Sequence, residues 1–78
     1  VKLGIVYRDK GLSDMAIHEF KEAKGKNPNY TPAGINLGVT YYTLSKFDLA
    51  EEEWLNILKK NPENKIAAMY LRLIKNKI

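Results

Sequence analysis

The 78-residue sequence contains no cysteine and a single histidine, His18. Disulfide staples and thiolate metal sites are thereby excluded, although a lack of cysteine does not by itself assign a compartment. No uninterrupted apolar run approaches the roughly 20 residues that cross a bilayer. A charged start followed by an apolar segment and a small-residue cleavage site is also missing. Gly4, Gly11, Gly25, Gly34 and Gly38 are spread out with no strand pattern before them, so no phosphate-cradling loop is present. No nucleophile is paired with a base, and His18 has no second histidine, cysteine or convergent acid pair to make a metal site or a general base. His18 reads as an ordinary surface residue on the outer face of a helix. Catalysis, a cofactor and a bound metal are not expected.

What the chain does have is a small basic excess and a repeat. Its length suits one domain, and a chain of this size buries only about 60% of the surface its unfolded form exposes. The net charge of +4 is unevenly placed: residues 65 to 78 carry four Lys or Arg and no acid. Such a tail can bind nucleic acid or anionic lipid, but only Tyr70 interleaves these charges as a stacking platform. A solvated terminal helix is the reading taken, with neither nucleic acid nor membrane as the expected partner. The chain opens at Val1, already inside an apolar pattern, and so reads as a piece of a longer protein in which targeting segments can lie elsewhere.

A shift of 34 residues brings Leu3, Gly4, Tyr7, Asp14, Ala16, Glu19, Lys26, Asn27 and Pro28 onto identical residues, and Phe20 onto Trp54. Internal periods of this length mark repeat architectures. Each copy reads as helix, turn, helix. Thr31-Pro32 is a helix start, with a capping hydroxyl and then a proline whose missing N–H does no harm. Ser45-Lys46-Phe47-Asp48 and Gly11-Leu12-Ser13-Asp14 supply turn and capping chemistry. Asn27-Pro28 and Asn61-Pro62 end the second helices, because the residue before proline avoids helical angles. Gly38 costs roughly 1 kcal/mol against alanine in a helix interior. The expected compensation is close backbone approach, with Gly4 facing Ala16 and Gly38 facing Ala50. The acids Glu51, Glu52 and Glu53 near a helix start, with Lys59 and Lys60 near its end, suit the helix dipole.

These residues resemble the tetratricopeptide repeat family. Leu3-Gly4, Tyr7, Ala16, Phe20, Pro28 and Leu37-Gly38, Tyr41, Ala50, Trp54, Pro62 follow its signature in both copies. One departure is Gly34, where the family commonly has a large residue three before the leucine. The resemblance implies an all-α, right-handed α-solenoid of two helix-turn-helix repeats plus a C-terminal capping helix. The first repeat is residues 1–30, lacking its first few residues; the second is 31–64; the capping helix is 65–78. In that last segment Arg72 and Lys75 stand where a repeat has Gly and Tyr, so no second helix is expected to follow. Terminal repeats with a polar outer face keep solenoids soluble.

Ile35, Val39 and Tyr42 form a second apolar stripe on the first helix of the second copy. Val1 and Ile5 begin the same stripe in the first copy, and Met69 and Leu73 continue it at the end. By the resemblance, such stripes line a concave groove that binds extended peptides or helices. The candidate groove is Ile5, Arg8, Asp9, Ile35, Asn36, Val39, Tyr42, Thr43, Met69 and Leu73, with Asn76 and Lys77 at its polar end. The alternative is that the apolar members only join neighbouring helices. The expected function is non-catalytic: capture of a protein or peptide partner, or scaffolding of a complex. Self-association as an oligomerisation element is the second reading, and salt-sensitive binding of an anionic partner by Lys65, Arg72, Lys75 and Lys77 the third.

A subset of the resembled family clamps the carboxylate end of chaperone tails with Lys, Asn and Arg. The corresponding places are Val1, Ile5, Asn36, Ile66 and Tyr70, of which only Asn36 has the right type. A labelled acidic chaperone C-terminal peptide is therefore expected to give a flat anisotropy titration up to about 1 mM protein; saturable binding at lower concentration contradicts this reading.

Overall fold

Prolines and left-handed turn residues divide the chain into helices short enough to pack on one another. The computed structural model describes residues 2–77, and the side chains of residues 2–76. It is all-α: α1 (Lys2–Asp9), α2 (Ser13–Lys26), α3 (Thr31–Thr43), α4 (Phe47–Lys60) and α5 (Lys65–Lys77), with no strand among the described residues. Each helix packs chiefly on the next in sequence. The body measures 28 × 26 × 16 Å. Its thin dimension suits two helix layers, given axes about 8–10 Å apart.

The turns repeat as closely as the sequence does. Gly11 and Ser45, 34 positions apart, are the two residues in the left-handed region among the described residues, at φ 79° and 60°. After Gly11, the Leu12 N–H donates to the Tyr7 carbonyl at 2.8 Å; after Ser45, the Lys46 N–H donates to the Tyr41 carbonyl at 2.8 Å. This bond, spanning six residues, closes the C-terminus of a helix around a left-handed residue. Glycine fits there without strain, whereas Ser45 carries a Cβ against it. The second helices also end alike, at Lys26 and Lys60, with Tyr30 N–H on the Asn27 carbonyl (2.9 Å) and Asn64 N–H on the Asn61 carbonyl (3.0 Å).

The helix starts differ from expectation. Neither α2, α3 nor α4 has a side-chain cap. Thr31 is already helical and Tyr30 occupies the cap position, so the threonine hydroxyl does not cap. Pro32 does fall in the first turn. Asp14 and Asp48 also lie in first turns, where a carboxylate meets the positive end of the dipole. The side-chain cap that does form is Asn64, whose Oδ1 accepts the Ala67 N–H at 2.9 Å.

The core comprises Ala16, Phe20, Leu37, Tyr41, Ala50, Trp54, Ile57, Ala67, Leu71 and Ile74. At Gly4 and Gly38 the nearest side chain is an aromatic ring. A Cβ built on Gly4 would lie 2.9 Å from Phe20 Cδ1, and one on Gly38 would lie 2.7 Å from Trp54 Cε2. The nearest atoms belong to the ring in both cases, so each bare glycine is the seat of the second helix's aromatic. Ala16 and Ala50 are fully buried. Trp54 Nε1 is buried against Gly38 with no hydrogen-bond partner, a desolvation cost of about 1–3 kcal/mol.

Leu3 and Leu37 occupy equal places in the repeat but unequal surroundings. Leu37 is 1% exposed, because α3 has α2 on one side and α4 on the other. Leu3 is 49% exposed, since α1 packs chiefly on α2. In α5 the buried face is Ala67, Leu71 and Ile74, and Arg72 and Lys75 point to solvent.

Gly38→Ala should lower stability by about 2 kcal/mol or more through overpacking against the indole, outweighing its gain of roughly 1 kcal/mol in helix propensity. Gly25 lies in α2 with no atom within 4 Å of a built Cβ, and Gly25→Ala should raise stability by about 0.5 kcal/mol. Urea titrations of both variants at unchanged m-value check the opposite signs.

Candidate interaction surface

Three helices contribute the stripe singled out in the sequence. Ile5, Ile35 and Val39 are half-buried, each resting on the core with part of its surface open. Met69 and Leu73 are 46% and 41% exposed. An apolar face of this kind, when contiguous, marks an interaction surface more often than scattered single residues do. Val1 lies outside the described residues, as does the side chain of Lys77.

Tyr42 has a larger structural share than its neighbours. Its ring meets Phe47 edge-on at 5.5 Å between centroids, Trp54 at 6.0 Å and Tyr70 at 6.3 Å. Tyr70 in turn stacks on Trp54 at 4.7 Å and 13°. Offset and edge contacts of this sort contribute about 0.5–1.5 kcal/mol beyond area burial. Tyr42 and Tyr70 thus tie α3 and α5 to the indole, and only part of the Tyr42 surface faces outward.

The polar members are joined across the helices. Arg8 Nη1 donates to Asn36 Oδ1 at 2.9 Å, bridging α1 and α3. Asn36 is oriented for this by donating its Nδ2 to the Pro32 carbonyl at 2.8 Å. Asp9 is exposed and adjoins this pair in sequence only. Thr43 is exposed, with its hydroxyl donating to the Val39 carbonyl at 2.8 Å. Such back-bonding uses the hydroxyl within the helix. Asn76 is exposed at the end of α5.

Two groupings escaped the sequence reading. Glu53 does not merely serve the dipole of its own helix: Lys24 Nζ donates to its Oε1 at 2.7 Å, joining α2 to α4. On the outer face of α2, His18, Glu19 and Glu22 bring ligand-type atoms within 4.8 Å of one another, His18 Nε2 lying 3.8 Å from Glu22 Oε1. The acids absent from the expected histidine surroundings are thus its own helical neighbours, a spacing of one turn that was open to view.

Comparison of the chain with protein-family models, with curated proteins and with solved structures found no match.

A double-mutant cycle of Arg8→Met and Asn36→Ala should give a coupling of about 1 kcal/mol in urea-unfolding free energy. Additive single effects would show that the hydrogen bond does not fix α1 to α3.

Proposed function

We propose that the chain is a non-catalytic protein-interaction module, built as a right-handed α-solenoid of tetratricopeptide type, that holds a peptide or helix of a partner along the stripe Ile5, Ile35, Val39, Met69 and Leu73. The repeated six-residue turn bonds at Tyr7–Leu12 and Tyr41–Lys46, together with packing of each helix on the next, support the repeat architecture. The observation that carries the binding reading is the exposure of Met69 and Leu73 on α5 together with the half-burial of Ile35 and Val39 on α3, each pair at helical spacing. Burial stabilises association by about 25 cal/mol per Å² of apolar area, and ordering costs cancel much of it. Arg8, held by Asn36, gives that run a polar end with donors left for a partner's carbonyls or acids.

Self-association is favoured by a separate observation. Leu3 and Val6 on α1 are 49% and 46% exposed, and a second copy or a further helix can cover them. The exposed Lys65, Arg72 and Lys75 of α5 support the third reading, in which an anionic partner is held by charge.

Peptides selected from a display library on the chain should bind at least tenfold more weakly to Met69→Ser/Leu73→Ser, with the circular-dichroism spectrum unchanged. Their affinity should fall little as salt rises, whereas charge-held binding falls steeply. Undiminished binding by the double variant would sink the stripe. Sedimentation equilibrium separates off the self-association reading, which predicts mass rising with concentration and a monomer in Leu3→Ser/Val6→Ser.

A further inference from the structure

A cavity of about 210 Å³ lies where α2, the Asn27–Tyr30 turn, α3 and α4 meet. Its floor is Gly34 and Ile57, both buried. Gly34 opens this floor because it has no side chain: the nearest atom to a Cβ built there is Ile57 Cδ1 at 3.1 Å. Tyr30, 43% exposed, and Pro28 form an apolar wall. Two hydrogen bonds brace the opposite sides, Lys24 Nζ to Glu53 Oε1 at 2.7 Å and Lys60 Nζ to the Pro28 carbonyl at 3.2 Å. Drug-sized ligands occupy about 300–1,000 Å³, whereas a dry cavity of about 150 Å³ holds benzene. The space therefore suits one ring.

The rim selects a charge. Two lysines and one glutamate line the cavity, a balance of +1, and each ammonium has three donors, more than the single bond given to it here. These cations border the cavity itself, so one residue can carry both the ring that fills the floor and the anion that reaches them. The next junction lacks all three features. Thirty-four positions on, Leu58 replaces Lys24, Ala68 replaces Gly34, and Asn64 replaces Tyr30. These lining residues are thus not among those the repeat carries over.

We propose that this cavity binds the C-terminal aromatic residue of a partner polypeptide, with the ring over Gly34 and Ile57 and the α-carboxylate on Lys24 and Lys60. It shares no residue with the Ile35, Val39, Met69 and Leu73 stripe, so either site can fail without the other.

The test is a ¹H–¹⁵N shift titration with the peptide Gly-Ser-Gly-Phe carrying a free carboxylate, with its C-terminal amide, and with 3-phenylpropionate. The free peptide should shift the amides of Gly34 and Ile57, and not those of Met69 and Leu73, with a Kd of about 1 mM. The amide should bind at least fivefold more weakly. Gly34→Leu, which fills the floor, should abolish the response. Tyr30→Ala, at an exposed turn position, should weaken binding at least fivefold and keeps the test decisive if Gly34→Leu does not fold. Equal binding of peptide and amide, an undiminished response in Tyr30→Ala, or binding of 3-phenylpropionate without the peptide would overturn the proposal.

Discussion

An aromatic ring lowered onto a bare glycine is the contact from which the rest of this structure follows. Phe20 over Gly4 and Trp54 over Gly38 draw the two helices of each pair together, since any Cβ beneath the ring would overlap it. The glycine loses roughly 1 kcal/mol of helix propensity, and the buried ring more than offsets that loss: full burial of such a side chain is worth about 1.5–3 kcal/mol. Once the pair is closed, Tyr41 and Leu37 fill the flanks, and the face of α3 that remains is the one carrying Ile35 and Val39. The candidate binding stripe is thus what the ring–glycine contact leaves over.

Trp54 does more than its counterpart Phe20. Its indole receives Tyr70 face to face and Tyr42 at a tilt, so that α5 is held to the second pair by aromatic stacking as well as by Leu71 and Ile74. The indole N–H has no partner among the described residues, and the buried ring area accounts for this position. Nothing comparable covers α1, whose Leu3 and Val6 stay open.

Much of this was legible in the residues. The 34-residue shift marked both turns before their hydrogen bonds were visible, and the Asn-Pro pairs marked the ends of α2 and α4. A second apolar periodicity on α3 was also legible, and its Ile35 and Val39 are half-buried. What spacing could not say was which atom fills the room above a glycine: Gly38 and Ala50 are small in any alignment, yet the neighbour is set by the reach of the Trp54 side chain. Contacts between pairs were equally hidden. Lys24–Glu53 and Arg8–Asn36 lie 29 and 28 residues apart and depend on how one pair is rotated against the next. Thr31 misled because a threonine before proline has two roles open to it, and here the backbone is already helical.

Because each helix packs chiefly on helices adjacent to it in sequence, the chain closes only short loops as it folds, and short loops cost little entropy. The same economy leaves its two extremities unequally anchored. α5 grips the indole through Tyr70, while the described residues of α1 pack chiefly on α2 and reach α3 through the Arg8–Asn36 bond. Loosening of that one bond would free α1 from α3 and the cationic end of the candidate stripe together.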